Sequence, residues 1–162
     1  MSAYDEARLL AATGRVEEAR RALDGLLASQ PAHLGALLLK AGLLLEDREA
    51  EAALALYRRA SAEWEGSSEA LNGLARCLHV LGRDQEALPL AERARDLLRE
   101  PGNALQAAAV YLTLVWCLRE MRKYREALAA AEEGLERCPD AVLAHWAGIV
   151  EEELAEAERE RC

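Results

Sequence analysis

Apolar residues recur along this chain three and four positions apart, the spacing that places them on one face of an α-helix. The pattern is clearest at Leu71, Leu74, Ala75 and Leu78. Gly82 interrupts it, and a second stripe then runs through Ala87, Ala91 and Ala94. Together they predict two helices joined by a tight turn. The same pair returns along the chain, as GRVEEARRAL from Gly14, REAEAALALY from Arg48, GRDQEALPLA from Gly82 and RKYREALAAA from Arg122. Their shared alanine falls at Ala19, Ala53, Ala87 and Ala127, at intervals of 34, 34 and 40 residues. Self-similarity at such a period is the mark of a repeat architecture. The units are expected at about 1–33, 34–67, 68–107 and 108–141. One further amphipathic stretch, about 142–160, ends in EEELAEAERERC, polar on most faces as a terminal capping helix must be. The whole chain, 1–162, then reads as a single all-α domain of about nine helices.

The period, the two-helix unit and its side-chain slots resemble the tetratricopeptide repeat family, whose pattern is W-x2-L-G-x2-Y, then A-x3-F, then P over 34 residues. The matching slots of the first unit hold Ala3, Glu6, Ala7, Leu10, Ala19, Leu23 and Pro31. Those of the second hold Leu37, Lys40, Ala41, Leu44, Ala53 and Tyr57. The third has Leu71, Leu74, Ala75, Leu78, Ala87 and Ala91, and the fourth Tyr111, Leu114, Val115, Leu118, Ala127, Ala131 and Pro139. The resemblance covers nearly the whole chain and implies a right-handed α-solenoid of four TPR-like repeats plus the C-terminal cap. Departures carry expectations of their own. Glu6 suits an exposed N-terminal cap, and Lys40 must carry its ammonium out to water or shift the register of its unit. Pro89 should remove a hydrogen bond and kink its helix. The six extra residues fall around 99–106, where Pro101, Gly102 and Asn103 are turn chemistry, so the helix before them should be lengthened.

Composition agrees. The 34 Ala and 30 Leu far outnumber one Ile, six Val and two Thr, which leaves little material for a sheet. Small alanines let helix backbones approach closely, so tight pairs need few aromatics, and aromatics are only 4%. The formal net charge of −9 disfavours binding to phosphate backbones or anionic lipid surfaces. The longest apolar run, 34–45, is interrupted by Lys40 and too short to span a bilayer. The first residues lack the basic and then apolar pattern of a secretory signal. The expectation is a cytoplasmic protein with free thiols.

No catalytic or metal-binding arrangement stands out. His33, His79 and His145 belong to different units, the four cysteines form no Cys-x-x-Cys, and no phosphate-binding loop is present. The expectation is a non-catalytic chain without cofactor or metal. Cys77 and Cys117 share one slot and read as small buried hydrophobes, whereas Cys162 should be exposed.

Function is then sought on positions that packing does not need. In the family resembled, the first helices of the units line a concave groove that holds partner segments. The corresponding residues here are Tyr4, Arg8, Leu38, Leu39, Gly42, Leu45, Asn72, Arg76, His79, Leu112, Thr113, Trp116, Arg119 and Trp146. The helix around HLGALLLKAGLLLED is apolar on nearly every side, and Leu38, Leu39 and Leu45 exceed what the repeat buries. A bound peptide, a second copy of the chain, or neighbouring helices could cover them. Arg8, Arg76 and Arg119 suit a peptide with apolar anchors and acidic residues, or else each pairs with a nearby Glu such as Glu69 or Glu120. Some members of this family grip a carboxylate with Lys/Arg and Asn in successive repeats. Asn72 and Arg76 match that in one unit only, with Leu38 and Gly42 in the preceding one, which disfavours such a clamp. The resulting expectation is a protein-interaction scaffold. The alternatives are a homo-oligomeric scaffold or a small bacterial secretion-type chaperone.

Overall fold

A computed structural model of the chain describes residues 1–98 and 103–160. Among these residues there are nine α-helices and no strand: α1 (Ala3–Ala12), α2 (Val16–Ser29), α3 (Leu34–Glu46), α4 (Ala50–Glu63), α5 (Ser68–Val80), α6 (Asp84–Asp96), α7 (Ala104–Glu120), α8 (Tyr124–Arg137) and α9 (Ala141–Arg159). Every odd-numbered helix begins with a side-chain cap. The Ser2 hydroxyl accepts from the Asp5 amide, His33 Nδ1 from Ala36, and Ser67 from Ala70, each at 3.1 Å. Asn103 and Asp140 serve α7 and α9 in the same way.

The even helices begin differently. A single tight turn recurs four times, with left-handed residues Gly14 (φ 75°), Arg48 (φ 64°), Gly82 (φ 71°) and Arg122 (φ 58°). After each, the next amide reaches back across the turn: Arg15 to the Leu10 carbonyl, Glu49 to Leu44, Arg83 to Leu78 and Lys123 to Leu118, at 2.8–2.9 Å. This is the Schellman closure, which satisfies carbonyls that a helix end leaves open. It also sends the chain straight back along the helix it has just left.

Each helix packs on the next in sequence, and each odd helix also touches the next odd one. No two even helices touch among the described residues. The odd helices therefore form the inner row of a curved stack and the even helices the outer row. The four recurring alanines, Ala19, Ala53, Ala87 and Ala127, are fully buried, as are Ala7, Ala41, Ala75 and Val115 in the other close-contact slot. A first core cluster from Ala7 to Ala70 and a larger one from Ala41 to Val150 are bridged by the half-buried Leu38 and Leu56.

Lys40 does carry its ammonium outward, onto Asp24 of α2. Glu6 is exposed on the free side of α1. α6 continues through Pro89 as one helix; the ring faces solvent, so water can serve the carbonyl that loses its donor. The lengthened helix is α7, at 17 residues, not the 13-residue α6 before the insertion. Asn103 starts α7 early by accepting from the Leu105 and Gln106 amides, and the Ala-rich segment that follows propagates the extra turn. Residues 99–102 lie outside the described residues, as does Cys162. No described helix is long and apolar enough to cross a membrane.

Candidate binding groove

Between α1, α3 and α5 the inner row opens into a groove of about 450 Å³. Its floor is Leu38, Leu39, Gly42 and Leu43 of α3, and Tyr4 of α1 closes one end. Glu46, Glu69 and Arg76 stand around it. A smaller hollow of about 210 Å³ continues toward α7, past Asn72, Gly73 and the exposed Leu105. The two share Tyr57, Glu69 and Arg76, so they form one trough.

Tyr57 reaches this trough from the outer row. Its ring lies on Gly73 of α5, where a side chain of any size would strike it. Its hydroxyl ends near Gly42, 3.8 Å from where a Cβ there would stand. That hydroxyl makes no hydrogen bond among the described residues. Burial pushes its pKa up to about 12, partly countered by Arg76 and reinforced by Glu69. Arg76, Glu46 and Glu69 form no ion pair among the described residues. The Asn72 Oδ1 is buried with no hydrogen-bond partner among the described residues. The trough thus presents an apolar floor with several unengaged polar groups.

The inner face of α7 and α9 is arranged differently. Arg119 grips Glu153 of α9 with Nε and Nη2, at 2.8 and 2.6 Å, and also reaches Glu120 at 2.9 Å. The Glu153 hydrogen bonds raise the Arg119 pKa further. Its guanidinium lies 5.5 Å from the centre of the Trp146 ring. Trp146 meets Trp116 edge-on at 6.1 Å, and Trp116 stacks on His79 at 5.9 Å. The Trp116 indole N–H is buried without a hydrogen-bond partner among the described residues. Tyr111, laid on Gly134 of α8 much as Tyr57 lies on Gly73, has its hydroxyl held by Glu133 at 2.7 Å and Arg137 at 2.9 Å.

The fourteen residues expected on the concave face therefore separate. Tyr4, Leu38, Leu39, Gly42, Asn72 and Arg76 line the trough. Arg8 lies over the Tyr4 ring at 5.9 Å. Leu45 and Leu112 are half-buried against the larger core cluster. Thr113 is fully buried, and its hydroxyl donates to the Ala109 carbonyl at 2.9 Å, so it offers a partner nothing. His79, Trp116, Arg119 and Trp146 contact one another. Tyr57 and Glu46 were not anticipated, and Glu69, named as a possible partner for a groove arginine, lines the trough without an ion pair among the described residues, whereas Glu120 does pair with Arg119. Tyr57 could have been found, because it alone puts an aromatic in its repeat slot and faces a glycine one helix on.

A second grouping was also invisible in the sequence. His79 Nδ1 lies 2.6 Å from Asp84 Oδ1, and donor atoms of His79, Asp84 and Cys117 all fall within 4.8 Å of one another. Burial, together with the Asp84 carboxylate, pushes the Cys117 thiol up to about 12. Cys77, Cys117 and Cys138 are buried and unbridged.

Family profiles described as Tetratricopeptide repeat match residues 4–68 and 66–140. No curated protein matches the chain. Among solved structures, the fold is similar to the MamA protein (TM-score 0.75, 20% identity, 94% of this chain and 81% of that one). It is also similar to YrrB, described as a TPR protein with an unusual peptide-binding site (TM-score 0.69, 19% identity, 91% and 74%). A third is the Sgt2 TPR domain from Aspergillus fumigatus (TM-score 0.67, 20% identity, 76% and 80%).

Proposed function

This chain belongs to the tetratricopeptide repeat family, and on that premise we propose that it is a non-catalytic scaffold that holds a partner segment in the trough between α1, α3 and α5. The observation that carries this reading is the trough itself: a leucine floor with Arg76, the Tyr57 hydroxyl and the Asn72 Oδ1 left without partners among the described residues. Apolar anchors of the partner rest on Leu38 and Leu39, and a carboxylate of the partner meets the Arg76 fork. Glu46 and Glu69 add a place for a basic residue, so the preference is for mixed charge rather than acid alone. That a solved structure of similar fold, YrrB, is described as having a peptide-binding site supports the reading.

A displayed library of random peptides tests it. Enriched peptides should combine apolar residues with Asp or Glu. Replacing both Leu38 and Leu39 with Asp should weaken their binding by at least about 30-fold, the scale of a hot-spot loss. Circular dichroism of the variant must stay helical; if it unfolds, these leucines are core and the trough is no docking site. Light scattering that shows a stable dimer disrupted by the same variant would instead give the surface to a second copy of the chain.

A further inference from the structure

We propose that His79, Asp84 and Cys117 form a binding site for a divalent transition-metal ion, Zn²⁺ by preference, at the junction of α5, α6 and α7. The three donors come from three helices. His79 lies near the end of α5, Asp84 is the first residue of α6, and Cys117 faces inward from α7. The left-handed turn at Gly82 folds the chain back, bringing Asp84 beside His79.

Repeat symmetry shows that the fold does not require these side chains. A shift of 34 residues carries His79 and Asp84 onto Leu45 and Ala50, and the 40-residue interval between the third and fourth units carries Cys117 onto Cys77. At the junction of the second and third units the corresponding residues are thus Leu45, Ala50 and Cys77. At the junction of the first and second they are Ala11, Val16 and Leu43. Both are packing sets. Only the third junction combines an imidazole, a carboxylate and a thiol, with the Asp84 side chain no more than 14% exposed. A half-buried carboxylate in a position that the other units fill with Val16, Ala50 and Tyr124 is costly unless its charge is matched.

A divalent ion matches it. On binding, the Cys117 thiol gives up its proton to water and its sulfur bonds the ion; the thiolate and carboxylate charges then sum with the ion to zero, and His79 ligates through one ring nitrogen. One sulfur, one nitrogen and one oxygen form a set that suits Zn²⁺ and is too poor in oxygen for Ca²⁺ or Mg²⁺. Bond lengths of about 2.0–2.3 Å require the triangle of donors to close by about 1 Å on its longest side, while the His79–Asp84 contact opens slightly. Trp116, stacked on His79, holds the ring in orientation. Cys117 is buried whereas His79 and Asp84 are reached by solvent, so a fourth, open position faces water.

Co²⁺ added to the untagged, fully reduced chain is the probe. The expected result is a near-ultraviolet sulfur-to-cobalt charge-transfer band that saturates at one ion per chain and is displaced by Zn²⁺. Cys117→Ser should abolish the band, and Cys77→Ser and Cys138→Ser should keep it. His79→Ala and Asp84→Asn, at partly exposed positions that leave the helical circular dichroism intact, should each weaken binding by at least about tenfold. The proposal is overturned by the absence of a band in the unmodified chain, by its survival in Cys117→Ser, or by indifference to both His79→Ala and Asp84→Asn. In each of those cases His79 and Asp84 are only a hydrogen-bonded pair.

Discussion

Tyr57 and Tyr111 each lie on a glycine of the following helix, and Arg76 and Arg119 each stand on the inner row. In the C-terminal half both polar heads are engaged within the chain: Tyr111 by Glu133 and Arg137, Arg119 by Glu153. In the N-terminal half neither head has a partner among the described residues. The difference comes from the neighbouring helices. α8 and α9 supply carboxylates that reach these positions, and α9 closes the end of the stack over them. Among the described residues nothing equivalent engages Tyr57 or Arg76, which stand in other repeat slots than Tyr111 and Arg119, and the trough there stays open. One inner surface is thus divided into a half that holds itself together and a half that is left available.

The glycines under the tyrosines give the largest test. A Cβ at Gly134 would stand 2.7 Å from both the Tyr111 ring and Leu143, and one at Gly73 would run into the Tyr57 ring. Gly73→Ala and Gly134→Ala should each cost about 2–3 kcal/mol through overpacking, read as a clear fall in Tm. If the two halves differ as described, only Gly73→Ala also disturbs the trough and reduces peptide binding.

The arginines give an intermediate test. Arg119→Ala leaves the half-buried Glu153 without its cation and should cost about 1–2 kcal/mol of stability in denaturant titration. Arg76→Ala should stay within about 0.5 kcal/mol. Equal costs would erase the distinction between the halves.

The smallest effect concerns the turns, where both halves should respond alike. Arg48 and Arg122 hold the left-handed conformation that Gly14 and Gly82 adopt without strain. Arg48→Gly and Arg122→Gly should each stabilise the chain by up to about 1 kcal/mol, seen as a higher Tm. A lower Tm in either variant would mean that the arginine side chain contributes more than its backbone costs.

Much of the fold was legible because its signals are local or strictly periodic. The alanines at Ala19, Ala53, Ala87 and Ala127 announce the close contacts, and all four are fully buried. The placement of the insertion was misread, because turn residues mark a break without saying which helix grows. The cap on Asn103 settles that in favour of α7. The candidate site was legible in part. Positions on the inner row could be named from the repeat, but their state could not. Arg119 and Glu153 are 34 residues apart, and no rule of spacing along one helix pairs them. Thr113 was expected to face a partner and instead bonds the carbonyl one turn before it.

The sequence by itself determined the helices, their turns and the slots where they touch, since 3.6-residue periodicity, caps and left-handed turn residues act within a few positions of the chain. Only the tertiary structure decided which polar groups are satisfied. Tyr57 crosses from the outer row into the trough, Arg119 is closed off by α9, and His79, Asp84 and Cys117 meet at one junction. Each of these depends on side chains from different helices arriving within hydrogen-bond range, and that is fixed by how the helices stack, not by where the residues lie along the chain.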